Sequence, residues 1–127
     1  MIKIAPSILS ADFSAMGQAV ESMQASGADY IHCDVMDGVF VPNITFGPPM
    51  IKSIKKHADI PLDVHLMIDR PERYIDAFAD AGADIITIHA EATLHAERTL
   101  AYIKTKGIKA GIVLNTAMPE NAAEHVM

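Results

Sequence analysis

The sequence has a single cysteine, Cys33, no tryptophan and no long apolar run. One thiol cannot form a disulfide within the chain, so we expect a reducing, cytoplasmic environment. No stretch approaches the roughly 20 apolar residues of a membrane-spanning helix. The first residues read directly into a strand pattern, without the basic and then apolar composition of a secretory leader. These absences predict a soluble protein without a membrane partner.

Basic residues are also scarce. The 127 residues include 10 Lys and Arg against 16 Asp and Glu, which gives a formal charge of −6 at pH 7. An acidic chain of this kind is a poor partner for nucleic acid or for an anionic membrane surface. It can still bind a small phosphorylated substrate, because that recognition depends on a few local groups. Hydrophobic residues make up 50% of the chain, which is enough for the core of one modest domain.

Short apolar segments alternate with amphipathic segments along the whole sequence. Alternating strands and helices form a parallel sheet, which is either doubly wound or closed into a barrel. Two of the helical segments begin with a proline, which the first turn of a helix tolerates. The pattern predicts strands over residues 3–7, 30–34, 62–66, 85–89 and 110–114, and helices over residues 15–25, 48–57, 71–81 and 94–105, with another helix beginning at Pro119.

Two observations favour a (β/α)8 barrel, also called a TIM barrel, over a doubly wound sheet. No glycine-rich phosphate-binding loop follows the first predicted strand, where a doubly wound nucleotide-binding fold would carry one. Polar residues instead recur at the carboxyl ends of successive strands, which is where a barrel builds its active site. These residues are Ser7, Asp34, His65, His89 and Asn115.

A histidine and a carboxylate two residues apart, His32 and Asp34, end the second predicted strand. Side chains on a strand alternate between faces, so these two point the same way. The third predicted strand offers His65 at a matching end. Two imidazoles and a carboxylate at neighbouring strand ends form a candidate site for Zn²⁺, Fe²⁺, Mn²⁺ or Co²⁺, and Asp34 could also act as a base.

Each of these residues also has a structural interpretation. A single histidine on a strand is more often a hydrogen-bonded core residue than a metal ligand, so the metal hypothesis depends on the three side chains together. Asp37 precedes a glycine and is expected to bind the amides of a turn instead of a metal ion. Asp63 shares a face with His65 and could either support the ligands or make a buried structural hydrogen bond. His89 could face the mouth of the site, but a structural role is the expectation for it.

Three segments carry a family resemblance. Residues 31–48, IHCDVMDGVFVPNITFGP, resemble the signature of the ribulose-phosphate 3-epimerase family. Residues 5–13, APSILSADF, and residues 62–67, LDVHLM, resemble two further segments of that family, in order and at fitting separations. Cys33 stands where an aliphatic residue is expected, but it faces away from His32 and Asp34. The resemblance covers the whole chain and implies a TIM barrel.

The resemblance also implies roles for individual residues. Three of them match the ligands of one divalent metal ion, and Asp34 additionally matches one of two acid/base aspartates. The implied ligands are His32, Asp34 and His65. Four residues match the substrate pocket, among them two methionines, which exclude water without offering a competing proton donor. The implied substrate contacts are Ser7, His65, Met36 and Met67.

The implied activity is metal-dependent epimerisation at C3 of D-ribulose 5-phosphate to D-xylulose 5-phosphate through an enediolate, a step of the pentose phosphate pathway. The alternatives are a D-allulose 6-phosphate 3-epimerase and a non-catalytic half-barrel fragment. A decarboxylase or aldolase of a related barrel is disfavoured. Such an enzyme should carry a lysine near Asp34, and none lies between Lys3 and Lys52.

Part of the implied barrel has no counterpart in these residues. The second aspartate of the family, its glycine-rich phosphate-binding loops and a second methionine-rich segment belong to later strands. A whole barrel takes about 250 residues, so we expect residues 1–127 to be the N-terminal portion of a single ribulose-phosphate-binding barrel domain, with about five βα units. We expect the rest of the barrel, or another copy in a homo-oligomer, to cover the open sheet edges. We also expect the 127 residues alone to be inactive.

Overall fold

The computed structural model describes residues 2–114, in which four helices alternate with four strands. The strands are all parallel and lie in the sheet order β1-β2-β3-β4, so each strand pairs with the next one along the chain. A doubly wound sheet would reverse direction at a switch point; this order does not. The elements are α1 (Met16–Ala25), β1 (Ile31–Met36), α2 (Pro48–Lys55), β2 (Leu62–Met67), α3 (Ile75–Ala81), β3 (Ile85–His89), α4 (Ala96–Thr105) and β4 (Lys109–Val113).

The strand predicted over residues 3–7 is not a regular strand, and this prediction is wrong. The segment runs beside β1, where the Pro6 carbonyl accepts a hydrogen bond from the His32 N–H at 2.9 Å. Proline has no N–H to donate to a ladder, which interrupts regular pairing. Only Ser7 forms a bridge, an isolated parallel one with His32. The segment nevertheless brings Ser7 beside β1, at the level of His32.

The helix predicted over residues 71–81 is divided in two. A 3₁₀ turn, Pro71–Arg73, follows Arg70, which has a left-handed backbone with φ 52°. Tyr74, with φ −119° and ψ 1°, then separates that turn from α3. The backbone at Tyr74 is therefore not helical, although the sequence pattern continues through it. Asn115 and the helix predicted from Pro119 lie outside the described residues.

The two faces of the sheet differ in character. In β1 and β2, fully buried side chains alternate with half-buried ones, as the pleat of a strand requires. The buried face packs against the helices in a single apolar core, where each large aliphatic side chain contributes about 1.5–3 kcal/mol. This core includes Ile31, Cys33, Val35, Leu62, Val64, Leu66, Ile86 and Ile88 from the sheet, and Val20, Ile51, Ile54, Ile75, Phe78 and Ile103 from the helices.

Each helix among residues 2–114 falls short of the length and apolar character that crossing a bilayer would take.

Cys33 is expected to resist thiol reagents in the folded protein. Its side chain is 0% exposed, and burial raises the pKa of the thiol to about 12. The reactive thiolate is therefore scarce at neutral pH. Incubation with iodoacetamide followed by mass spectrometry should give no adduct with the native protein and one adduct after unfolding in urea. Rapid labelling of the native protein would contradict the packing of β1 against the helices.

Candidate metal and active site

The side chains singled out in the sequence meet on the sheet face that turns away from the helices. In the parallel register of β1 and β2, Asp34 pairs with His65, and His32 pairs with Asp63. Alternation places all four side chains on the same half-buried face. Two adjacent strands thus present four polar groups as a compact square on this face of the sheet.

Three ligand atoms converge within this square. Asp34 Oδ1 lies 2.8 Å from His32 Nε2 and 3.2 Å from His65 Nδ1. One ligand atom from each residue lies within 4.8 Å of the other two. Two imidazole nitrogens and a carboxylate oxygen form a donor set that suits Zn²⁺, Fe²⁺, Mn²⁺ or Co²⁺. These side chains could therefore hold a divalent metal ion, and their ligand role stays a prediction.

Asp63 fixes the orientation of the His32 ring. Its Oδ2 lies 2.9 Å from His32 Nδ1, on the side of the ring away from the three-atom cluster. A carboxylate at this nitrogen favours the tautomer that leaves Nε2 free to bind a cation. The Asp63 hydrogen bond also raises the pKa of His32, against the opposing effect of burial. The sequence left two roles open for Asp63, namely supporting a ligand or making a buried structural hydrogen bond. Its contact with His32 fits the first role.

His65 has the opposite electrostatic balance. Burial lowers the pKa of its imidazole, and the attraction of Asp34 does not offset that effect. A histidine that stays neutral near pH 7 does not have to lose a proton before its lone pair can bind a cation. The two candidate ligand histidines are thus held by different means: His32 by a carboxylate, and His65 within a more buried setting.

Ser7 and the two pocket methionines lie where a substrate could reach them. Ser7 Oγ donates to Asp34 Oδ2 at 3.1 Å, so it touches the carboxylate oxygen that the histidines do not. Met36 and Met67 pair in register at the ends of β1 and β2, one pleat beyond Asp34 and His65, and are half-buried. Their contact with a substrate stays a prediction.

His89 is the residue whose role the sequence understates. Its Nε2 lies 2.8 Å from His65 Nε2, and the two rings stack with centroids 4.9 Å apart. The sequence does contain a pattern that points to His89. Residues 26–32 and 81–89 both carry a glycine-alanine-aspartate turn that leads into a predicted strand ending in histidine. The repeat places His89 at a strand end, but it does not show which side chain the ring meets.

Asp37 binds backbone amides, as predicted. Its Oδ1 accepts hydrogen bonds from the N–H groups of Val39 and Phe40, both at 2.9 Å. Its Oδ2 accepts from the N–H of Asp69 at 2.8 Å. The first two bonds close the turn around Gly38, where φ is +77°, and the third ties the loop after β1 to the loop after β2. Asp37 therefore stabilises the rim of the site instead of entering it.

Asp37→Asn is expected to lower the free energy of unfolding by about 1–3 kcal/mol at neutral pH, because backbone donors lose a charged acceptor. Burial would raise the pKa of Asp37, but the hydrogen bonds from Asp69, Phe40 and Val39 outweigh it and lower the pKa. The contribution is complete above the unfolded pKa of about 3.9 and is lost as pH falls through the lower folded value. Urea unfolding from neutral to acidic pH should show the two proteins converging. A constant difference would contradict this linkage.

Comparison with known proteins places the chain in one family. The model of the ribulose-phosphate 3 epimerase family matches residues 3–127. Ribulose-phosphate 3-epimerase of Bacillus subtilis is 58% identical over 126 residues, covering 99% of this chain and 58% of that protein. The Escherichia coli K12 protein of the same name is 50% identical over 125 residues, covering 98% and 56%. The chain spans about half the length of the curated relatives it matches.

A solved structure supports the fold independently. Yersinia pestis DHPS, in a complex with a pterine-sulfa conjugate, matches with a TM-score of 0.67 over 98% of this chain and 52% of that protein, at 13% identity. At that identity the likeness concerns the fold alone, which is of the TIM-barrel type. The sheet order, the fold likeness and the relatives agree with both the predicted fold class and the predicted resemblance. The chain belongs to the ribulose-phosphate 3-epimerase family.

Proposed function

We propose that the protein carrying this chain interconverts D-ribulose 5-phosphate and D-xylulose 5-phosphate by epimerisation at C3. The observation that carries the proposal is the convergence of His32, Asp34 and His65 on the face of β1 and β2 that turns away from the helices. The names of the relatives support the substrate and the reaction class. We propose the cytoplasm as the location, in line with the single buried thiol.

The two oxygens of Asp34 suit two different tasks. Oδ1 faces both histidines, and Oδ2 faces the Ser7 hydroxyl. We propose that Oδ2 removes the C3 proton, which is acidic because it lies next to the C2 ketone. The Ser7 hydroxyl orients this oxygen and can turn to the substrate when the substrate arrives. Inversion then needs a second acid on the opposite face of C3, which the family resemblance assigns to a later strand.

Proton removal leaves negative charge on the enediolate oxygens. A divalent cation held by His32, Asp34 and His65 would supply Lewis-acid stabilisation of that charge. The chain's own part is to hold both imidazoles in the tautomer and orientation that present a lone pair to the cation, for which Asp63 contacts His32 Nδ1 at 2.9 Å. Met36 and Met67 line the approach and keep water from the reacting carbon, without a proton of their own to donate.

We also infer that residues 1–127 are the N-terminal portion of one barrel domain. The relatives are roughly twice as long as the match, and β4 is half-exposed along its length. An exposed parallel edge strand offers unpaired N–H and C=O groups to another strand. In this proposal, further strands of the same barrel or a second copy of the chain cover that edge.

The substrate proposal is tested with the naturally expressed protein. Turnover of D-ribulose 5-phosphate and of D-allulose 6-phosphate is compared by NMR after metal removal and after addition of Zn²⁺, Fe²⁺, Mn²⁺ or Co²⁺. We expect no turnover without metal and a preference for the pentulose phosphate of about 10-fold or more, since one extra carbon unit is worth about 1–3 kcal/mol in a fitted pocket. Preferential turnover of the hexulose phosphate would replace the proposed substrate.

The double variant His32→Ala/His65→Ala is expected to lose metal binding, with Zn²⁺ affinity falling by at least about 100-fold. Two of the three converging ligands are removed, and even a residue that only supports a ligand is typically worth 10–100-fold. Competition with a chromogenic chelator measures the affinity. The matched control is His57→Ala/His95→Ala, because His57 pairs with Glu21 on the helical surface and His95 is exposed. Unchanged affinity in the first double variant would rule out the ligand assignment.

A further inference from the structure

Both ring nitrogens of His65 are engaged. Nδ1 lies 3.2 Å from Asp34 Oδ1, within the proposed metal cluster. Nε2 lies 2.8 Å from Nε2 of His89. A hydrogen bond between two imidazole nitrogens needs a proton on one of them and a lone pair on the other. The contact therefore couples the tautomer of His65 to the tautomer of His89.

The His89 ring is held in one place. Its side chain is only 14% exposed. The ring stacks on His65 with an interplanar angle of 14°, and the ring of Phe40 packs against it with centroids 4.9 Å apart. Its Nδ1 is buried without a hydrogen-bond partner among residues 2–114, and the nearest carboxylate oxygen, Glu91 Oε1, lies at 4.0 Å.

The direction of the hydrogen bond follows from the proposed metal site. If His65 Nδ1 offers its lone pair to a cation, then the proton of the neutral ring is on Nε2, which points at His89. His89 Nε2 must then accept, which leaves the His89 proton on Nδ1, on the side of Glu91. The opposite arrangement would put the His65 proton on Nδ1, where it would block the cation.

We propose that His89 is a positioning residue, which accepts a hydrogen bond from His65 Nε2–H and so holds His65 in the tautomer that presents Nδ1 to the metal ion. The proposal rests on the function proposed above. It gives each ligand histidine a partner at its remote nitrogen: Asp63 for His32, and His89 for His65. Such partners fix ring orientation and tautomer in metal sites.

The first test reads the tautomers directly. The naturally expressed protein, labelled with ¹⁵N in its histidine rings and loaded with diamagnetic Zn²⁺, is studied by long-range ¹H–¹⁵N NMR. We expect a proton on Nε2 of His65 and on Nδ1 of His89. A proton on His89 Nε2, donated towards His65, would overturn the proposal. This measurement needs no variant, so it decides the matter even where a substitution at His89 prevents folding.

The second test measures Zn²⁺ affinity by chelator competition. His89→Leu, which has no acceptor, should weaken affinity by about 10-fold or more, the usual loss when a partner of a ligand histidine is removed. His89→Gln retains an acceptor near the position of Nε2 and should recover most of the loss. His57→Leu, on the helical surface, is the matched control and should leave affinity unchanged.

The outcomes separate this inference from the proposed function. If His65→Ala leaves Zn²⁺ affinity unchanged, the metal site itself is wrong and the role of His89 falls with it. If His65→Ala abolishes the affinity while folded His89→Leu binds as tightly as the unaltered protein, only the positioning role is overturned. If His89→Leu weakens Zn²⁺ affinity and His89→Gln does not restore it, the effect of His89 comes from packing instead of hydrogen bonding. That result would also overturn the positioning role.

Discussion

Replacing Asp34 by asparagine is expected to reduce kcat for epimerisation by about 10⁴-fold, the upper end of the range for the loss of a general base. Asp34 Oδ1 meets His32 Nε2 at 2.8 Å and His65 Nδ1 at 3.2 Å, and Oδ2 meets Ser7 Oγ at 3.1 Å. An amide has the same shape but neither the charge nor the basicity. The variant therefore loses a proton acceptor and weakens a ligand in a single change, with little change in packing.

The measurement must separate these two losses. Metal content and kcat are determined at saturating Zn²⁺ or Mn²⁺, so that weakened binding does not account for the lost rate. The matched control is Asp76→Asn, an aspartate on the outer surface of α3 that pairs with Lys106; its kcat should be unchanged. Circular dichroism and a urea transition establish that both variants are folded. If metal-saturated Asp34→Asn retained more than about one per cent of kcat, well above the general-base loss expected, Asp34 would not be the base.

The core of the candidate site was predictable because it depends on two regular rules. Alternation along a strand places His32 and Asp34 on one face, and parallel pairing of successive strands brings His65 beside Asp34 in register. Neither rule needs knowledge of tertiary packing. For the same reason, Cys33 could be assigned to the opposite, helix-covered face from its position alone, and the structure buries it there.

The contact between His65 and His89 could not be predicted in this way. In the register of β2 and β3, His65 lies opposite Thr87, not opposite His89. His89 lies two residues further along β3 than Thr87, so the two rings meet diagonally across the strand pair. Whether such a diagonal contact forms depends on side-chain rotamers and on the sheet twist. The wrong prediction of a strand over residues 3–7 has a similar origin. Whether this segment pairs regularly depends on which residue of β1 lies opposite Pro6.

Residues 1–127 produced alone are expected to give no measurable conversion of D-ribulose 5-phosphate to D-xylulose 5-phosphate. Epimerisation removes a proton from one face of C3 and returns one to the other, which takes two acid/base groups. In our assignment Asp34 serves one face, and the group for the other face has no counterpart among residues 2–114. The phosphate-binding loops implied by the family also belong to later strands, so the substrate is poorly positioned, and positioning accounts for about 7–11 kcal/mol of barrier reduction in favourable cases.

Incubation of these residues with substrate in D₂O, followed by NMR of the C3 proton, tests this expectation. Asp34 alone could remove a proton and return deuterium to the same face, so slow exchange with retained configuration is consistent with one working base. The same residues carrying Asp34→Asn provide the baseline, because exchange that persists there comes from the solvent. Xylulose 5-phosphate that forms at a rate dependent on Asp34 would contradict the expectation. A second acid would then have to come from these 127 residues or from a partner copy, and the rate's dependence on protein concentration would distinguish the two sources.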